Sequence, residues 1–551
     1  MPAITLPRVL SALACTIATA TSALALAGDV AGGNSNLQLK VSLLGRYDSG
    51  IRNASAAEIV QYDPSSQRLF AINALAHSVD VISIADPTAP AKVDTLVEDN
   101  ASTVNSVATF QGLVAVAFSA PTKTDNGKVV FYSAQTLARL AAFTVGALPD
   151  MLTFTPDGEA VLVANEAEAN AGYTIDPVGS VSVIDLRAVE NRLDGAELQA
   201  LGVVRTAGFE QFNPEIAELR AAGVRIYGPG ASVAQDLEPE YIAVSHDGDY
   251  AWVALQEANA IGVLDLTDLG APYFRDIIPL GLKDHSLPGN ELDASDRDGK
   301  INIRNWPVKG MYEPDGIASY AIKGKTYFVL ANEGDDRNDF LPSATPETAR
   351  VGSSAVPLDP AVFGDVAFLK RPENLGRLTV TTAQVPKNAA GQFTELHVLG
   401  GRSFSIRGAA GELLFDSGSD FERITAERYP SFFNASHDNN LFDDRSDNKG
   451  PEPEGVTIGK IRGRTFAFIG LERIGGVMTY DVTDPTAARF VDYVNTRDFT
   501  LPPNGTATND SGPEGVAFIS ADDSPNGKPL LVVGNEISGT TVIYSIDVIS
   551  K

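Results

Sequence analysis

One short unit recurs along this chain and limits what it can fold into. Its clearest copy runs from Glu452 to Pro485. A Pro-Glu-Gly corner (Pro453, Glu454, Gly455) opens it, followed by a β-rich run from Val456 to Ile461, a tight basic hairpin and a second run from Thr465 to Leu471. A second corner, Leu471-Glu472-Arg473, leads into a third run from Gly476 to Tyr480 that stops at Asp481-Val482-Thr483-Asp484-Pro485. Short apolar and β-branched runs bounded by Gly, Pro and Asp make an antiparallel meander. The first run leaves one end of that meander and the second returns to it, so Glu454 and Glu472 share an end.

The unit repeats. Pro513-Glu514-Gly515 pairs with Asn535-Glu536, Pro314-Asp315-Gly316 with Asn332-Glu333, Pro239-Glu240-Tyr241 with Gln256-Glu257, and Pro149-Asp150-Met151 with Asn165-Glu166. Weaker copies start at Ala57-Glu58-Ile59 and at Asn105. The closest successive starts are roughly 45 residues apart, the span of a four-stranded propeller blade. The expected fold is all-β: a single seven-bladed β-propeller over residues 39–551, closed by an N-terminal strand. The last copy runs out of chain after three strands, and Leu39 to Tyr47 reads as the missing fourth, which would hide both sheet edges. Outer strands are expected at Lys92–Val97, Leu137–Val145, Leu201–Arg205, Phe274–Leu280, Leu413–Gly418 and Phe490–Val494. Long insertions at Ala167–Val178, Ile277–Tyr312, Gly334 to about Thr394 and Phe421–Pro451 all fall on the corner side, while the opposite hairpins stay short. Long loops on one rim of a rigid scaffold usually carry function.

Asp and Glu number 70 against 42 Lys and Arg, a formal charge of −28, which argues against nucleic acid as a partner. Residues 1–27 read as a secretory signal: Arg8, an apolar run from Val9 to Leu26, and Ala25-Leu26-Ala27 as a cleavage site, with a flexible linker over 28–38. The single cysteine, Cys15, falls inside that signal, so disulfides do not hold the mature protein together. No later run is long enough for a membrane span, and no sorting tail follows the last copy. A periplasmic or extracellular monomer is expected.

Repetition brings the corner acids to one mouth: Glu58, Asp150, Glu240, Asp315, Glu454 and Glu514 at the starts of inner strands, and Glu166, Glu257, Glu333, Glu472 and Glu536 at the ends of their neighbours. Carboxylates so close persist when protonated, paired with arginine or neutralised by metal. Oxygen donors without thiols favour calcium or magnesium. Candidate metal ligands are Glu240, Asp315, Glu333, Glu454, Glu472, Glu514 and Glu536; the alternative is that each acid caps its own turn and faces water. Asp296 and Asp298 in Ser295-Asp-Arg-Asp-Gly299 resemble the core of a calcium loop, but Ala294 and Asn305 occupy the first and twelfth positions, so a full EF-hand is excluded and a plain Asp-Gly turn stays open. His437 reads as a surface histidine. Arg337 and Arg473, with Arg423 and Arg445, accompany the acids; guanidinium beside bound metal suits a phosphate monoester, and salt bridging is the alternative. There is no H-E-x-x-H and no G-x-S-x-G. Gly324-Lys325-Thr326 lacks the glycine a P-loop needs at position 319 and reads as a hairpin.

The runs Asp296-Arg-Asp-Gly-Lys-Ile-Asn-Ile303, Glu313-Pro-Asp-Gly-Ile317, Ala331-Asn-Glu-Gly-Asp-Asp-Arg337, Phe415-Asp-Ser-Gly-Ser-Asp-Phe-Glu422 and Asp447-Asn-Lys-Gly-Pro-Glu-Pro-Glu-Gly-Val456 together resemble the choice-of-anchor I family. That resemblance covers about Leu39 to Ile546 and implies an extracellular propeller; some members are described as atypical alkaline phosphatases, others as cell-surface glycoproteins. The expected function is a secreted metal-binding propeller acting as an alkaline phosphatase-like phosphomonoesterase on a small phosphoester. Arg337 and Arg473 would be the clamps, calcium the cofactor, and a second metal such as iron its companion. The alternative is a non-catalytic, calcium-stabilised surface or matrix protein.

Overall fold

A computed structural model describes residues 37–53, 55–98, 102–503 and 505–549. The expected signal segment and most of the 28–38 linker lie outside the described residues. Among those described, the chain is all-β and propeller-like, and seven of its sheets are antiparallel and four-stranded. In the copy that opened the sequence reading, Pro453–Ile461 pairs with Arg464–Leu471, then Val477–Asp481, then Arg489–Val494. The first strand extends the run read from sequence back to Pro453, the second and fourth gain one residue each, and the third is shifted by one, leaving Gly476 outside and taking in Asp481.

The innermost strands are Ala56–Asp63, Val104–Phe110, Pro149–Phe154, Pro239–Val244, Ile317–Ile322, Pro453–Ile461 and Pro513–Ile519. Each lies beside the next in chain order, and Pro513–Ile519 lies beside Ala56–Asp63. The N-terminal strand Gln38–Asp48 pairs antiparallel with Thr540–Ile549, from Gln38 opposite Ile549 to Asp48 opposite Thr540. Apolar faces of successive sheets bury against one another. Phe468 of the sixth sheet stacks on Phe518 of the seventh at 5.8 Å, and Trp252 of the fourth on Phe328 of the fifth at 5.5 Å. Removing this much apolar surface from water is the main stabilising term.

Some elements differ from the sequence expectation. Leu201 ends a helix, Gly195–Leu201, whose first turn is capped by the Asp194 carboxylate accepting from the N–H groups of Ala196 and Glu197; the outer strand follows at Val203–Gly208. The outer strand expected at Leu137 begins at Arg139, and Leu137 itself takes a positive φ in the preceding turn. The connection after Gly208 carries the short helices Glu210–Glu215, Ile216–Ala222 and Val233–Asp236, an insertion the repeat pattern did not single out. Ile277 still belongs to the outer strand Tyr273–Pro279, so that insertion starts later than expected. The insertions fold onto one another. Gly172 N–H bonds Phe340 O, Thr379 N–H bonds Asp447 O, and a core of Leu292, Trp306, Val351, Leu375 and Phe393 lies among them.

Candidate cation site at the carboxylate rim

Four of the corners share one β-bulge. Pro453 pairs with Leu471 and Val456 with Ile469, leaving Glu454 and Gly455 together opposite Gly470; the same shift occurs at Pro149/Leu152, Pro239/Ile242 and Pro513/Val516. A bulge twists the strand locally and re-aims the side chain it carries. The glycine after the acid is needed for close approach. A Cβ at Gly455 would lie 1.8 Å from Glu514 O, one at Gly515 2.4 Å from Glu58 O, and one at Gly316 2.4 Å from Glu454 O. These three sheets therefore nest their corners against the backbone of the next acid, which sets those carboxylates side by side. The residue before the corner proline is held at positive φ: Leu148 at 44°, Glu313 at 39° and Glu452 at 50°. Strain of this kind is retained only where surrounding structure enforces it.

Ten of the eleven expected carboxylates line one cavity of about 370 Å³: Asp150, Glu166, Glu240, Glu257, Asp315, Glu333, Glu454, Glu472, Glu514 and Glu536. Tyr241, Met151 and Ile59 form its floor and separate it from a second cavity of about 300 Å³ further along the inner strands. Within the rim, side-chain oxygens of Asp315, Glu333 and Glu454 lie within 4.8 Å of one another, as do those of Glu58, Glu514 and Glu536. The same spacing holds for Glu333, Glu452 and Glu472, and for Glu472 and Glu536 with a ring nitrogen of His437. Oxygens so placed can share one cation. Glu240 lies in the wall with Glu166 and Asp150 but joins none of these groups. Asp296 does not line the rim cavity; it pairs with Arg377 and Arg297, each at 3.0 Å, and Asp298 lies with it in the 277–312 insertion.

Burial, then neighbouring acids, sets the ionisation. Glu454 is pushed well above its ordinary range by burial and by Glu472 and Glu514; Glu514 by burial, Glu58 and Glu536; Asp315 by burial and Glu333. Glu536 rises to about 7 and Asp150 to about 7, again chiefly through burial. One inaccessible carboxylate oxygen on each of Glu257, Glu454 and Glu514 has no hydrogen-bond partner among the described residues. A divalent cation would offset the repulsion and satisfy those oxygens, so the donor set fits calcium.

The two arginines chosen from sequence part company. Arg473 lines the cavity; its Nε donates to Glu452 at 2.8 Å and its Nη1 lies 3.0 Å from Glu472. Arg337 does not reach the cavity. It is fully buried, paired with Asp236 and Glu238 at 2.8 Å each and covering the Tyr227 ring at 4.7 Å, so it braces the wall from behind and is no clamp for a ligand. Sequence reading missed Lys449 and Glu452. Lys449 Nζ lies 2.7 Å from Glu333 and 3.1 Å from Glu452. Burial alone would raise Glu452, but Arg473, Lys449 and Arg445 hold it well below the carboxylate range. His437, read as a surface residue, is buried at the rim with Nδ1 2.7 Å from Glu472. Its signal was present in the sequence as one of only five histidines, set in the last insertion before the Pro-Glu-Gly corner.

A family model described as the choice-of-anchor I domain matches residues 58–485. The chain belongs to the choice-of-anchor I family. The match runs from the first corner acid, Glu58, to Pro485, in the turn after the third strand of the sixth sheet. Among curated relatives, Gigasin-3a of Magallana gigas is 31% identical over 184 residues, 31% of this chain and 64% of that protein. The Mesenchyme-specific cell surface glycoprotein of Strongylocentrotus purpuratus is 26% identical over 328 residues, 51% of this chain and 40% of that protein. The chain thus spans less than two thirds of either relative. Of solved structures, Kuenenia stuttgartiensis hydrazine synthase matches at 14% identity, 92% of this chain, 99% of that chain and a TM-score of 0.43. The Cps50 (Swd1) β-propeller domain of Myceliophteria thermophila matches at 8% identity, 91% and 99% coverage and a TM-score of 0.39. Nothing about activity follows from likenesses so distant. Among the described residues no helix is long and apolar enough to cross a membrane.

Proposed function

We propose that this choice-of-anchor I chain is an extracellular, calcium-binding seven-bladed propeller, closed by Gln38–Asp48, that acts at a surface or in a matrix through its acidic mouth. The observation that carries this reading is the pair of rim groups, Asp315–Glu333–Glu454 and Glu58–Glu514–Glu536, whose oxygens are spaced for a shared cation. A bound divalent ion supplies positive charge where the protein has little of its own: the cavity's two cations, Arg473 and Lys449, are already tied to Glu452, Glu472 and Glu333. A cell-surface role accords with the name of the sea-urchin relative, a cell surface glycoprotein, and with the signal-like N-terminus.

Hydrolysis of a small phosphate monoester is the second reading, and one observation favours it. Arg473 stands in the cavity beside two of the cation groups, where its guanidinium would hold a phosphate oxygen once a metal had neutralised Glu472. With Arg337 sealed in the wall, that clamp is a single arginine.

Protein purified without chelator is expected to carry bound calcium by mass spectrometry, and Glu454→Gln and Glu514→Gln to carry less. Equal metal in wild type and both variants would end the calcium reading. Release of p-nitrophenol from its phosphate ester at alkaline pH, by calcium-loaded wild type and not by Glu454→Gln, would replace the binding role with the enzymatic one.

A further inference from the structure

A second set of acids lies away from the rim cavity, within the insertions. Asp293 and Asn434 are 0% exposed and Asp443 is 1% exposed, and none of them lines the rim cavity. Their loops are fastened together. Asp443 N–H bonds Phe433 O, and Asn434 Nδ2 donates to Ser446 Oγ at 2.8 Å and to Glu422 Oε1 at 3.2 Å. Ser446 Oγ in turn donates to Asp443 Oδ1, and Asp293 N–H donates to Glu422 Oε2 at 2.9 Å. Glu422 has its counter-charge in Arg402 at 2.6 Å. No ion pair reaches Asp293, Asp298 or Asp443 among the described residues.

Three oxygens are left over. Asp298 Oδ2, Asp443 Oδ2 and Asn434 Oδ1 are inaccessible and have no hydrogen-bond partner among the described residues. The other oxygen of each aspartate is taken: Asp298 Oδ1 accepts from Lys300 N–H and Asp443 Oδ1 from Ser446. Asp293 uses both of its oxygens on the N–H groups of Ser295 and Asn302, which holds the 293–302 loop in its turn. The two loops meet at Glu422, whose carboxylate accepts from Asp293 N–H and from Asn434 Nδ2, and Asp298 lies in the turn that Asp293 holds. A buried carboxamide oxygen and two buried carboxylate oxygens without donors are costly to leave bare. What would satisfy all three is a cation, and an all-oxygen set with no nitrogen or sulfur selects a hard one.

We propose that Asp298, Asp443 and Asn434 hold a second calcium ion, separate from the rim, that clamps the 293–302 loop to the 434–446 loop. Asp293 positions the first loop and adds negative charge without being a ligand. The sequence suggestion of a calcium loop is thereby moved: Asp298 stays, Asp296 belongs to Arg377, and the remaining ligands come from a loop far along the chain. Backbone carbonyls and water complete the coordination that calcium favours. The site does not depend on what the rim binds.

Calcium alone is the probe. Chelator-treated full chain is dialysed against calcium, and the ions bound per chain are counted for wild type, Asp298→Asn, Asp443→Asn and Glu454→Gln. Asp298 is partly exposed, so its substitution leaves the fold standing, and the amide in Asp443→Asn offers Asn434 a donor in place of the metal. Each of the two loop variants is expected to bind one ion fewer than wild type, or to bind it at least tenfold more weakly, while Glu454→Gln keeps this ion. Calcium is also expected to slow proteolysis between Asp293 and Asn302 in wild type and not in Asp298→Asn. Wild-type stoichiometry and affinity in both loop variants would overturn the proposal. Loss of ions in Glu454→Gln alone would support the rim site and refute this one, and loss in the loop variants alone would do the reverse.

Discussion

At the scale of single residues, two charged side chains in the same wall are expected to respond in opposite ways. Arg337 is the only cation paired with buried Asp236 and Glu238 among the described residues. Replacing it by Met leaves two carboxylates in the interior without a counter-charge, and removal of one partner of a buried pair costs about 3–5 kcal/mol. Denaturant unfolding of Arg337→Met is expected to show a loss of that order. Glu454 has the converse surroundings: acids on several sides and one oxygen with no donor. Glu454→Gln removes a repelled charge, so the metal-free protein is expected to melt at an equal or higher temperature than wild type. The same change is expected to weaken calcium binding at least tenfold, about 1.4 kcal/mol or more, read by calcium titration. A metal-free melt well below that of wild type would mean Glu454 is held by something other than a cation.

At the scale of elements, the Pro-Glu-Gly corner does the positioning, and Gly455 tests it. Its Cβ position lies 1.8 Å from Glu514 O, a backbone atom that cannot swing aside. Gly455→Ala is therefore expected to force the sixth and seventh sheets apart, costing about 1–3 kcal/mol as overpacking does, and to weaken calcium binding without altering any ligand. Unfolding and calcium titration of that one variant check both effects; an unchanged titration would mean that corner packing does not set the rim. The strands themselves were legible, because alternating runs such as Thr465–Leu471 stand between glycine and proline punctuation that ends them chemically. The convergence of the rim acids followed from their common position in the repeat. Bulging was not legible, since Glu454 and Gly455 come to share one partner residue only once the neighbouring strand is in register. The helices over 210–236 were missed because each is only a turn or two long and carries no sustained periodicity. Lys449 and Glu452 were missed for a different reason: Lys449 meets Glu333 across 116 residues of chain, and no local pattern announces a pair of that kind. Arg337 was misplaced because an arginine next to acids in sequence can turn inward as readily as outward.

At the scale of the whole molecule, the rim couples stability to pH and, on the proposed reading, to calcium. Burial raises Glu58 to about 8, with Glu536 adding to it, and raises Asp150 and Glu536 each to about 7. In the unfolded chain these groups titrate near about 4. Between those limits the folded protein holds more protons than the unfolded one, so the stability of the metal-free protein falls as pH rises. Their contribution is fully present below about pH 4 and is lost as pH passes through about 7 to 8. Groups shifted the other way act elsewhere. Burial works to raise Asp48 and Glu291, but hydrogen bonds from Arg52 and Thr508 in the first case, and from Arg423, Ser419 and backbone N–H groups in the second, bring each to about 2. Their stability is lost only as pH falls below the ordinary carboxylate range. Calcium bound at the rim would compete with protons for the same oxygens, and a ligand that binds only the folded state raises its stability. The melting temperature of the metal-free protein is therefore expected to decline from about pH 5 to about pH 8, whereas the gain on adding millimolar calcium is expected to widen over that window. Calorimetric scans with and without calcium measure both slopes in one series. A calcium gain that stayed level across that range would mean the ion binds groups already ionised at pH 5, and the raised rim acids would then have no part in holding it.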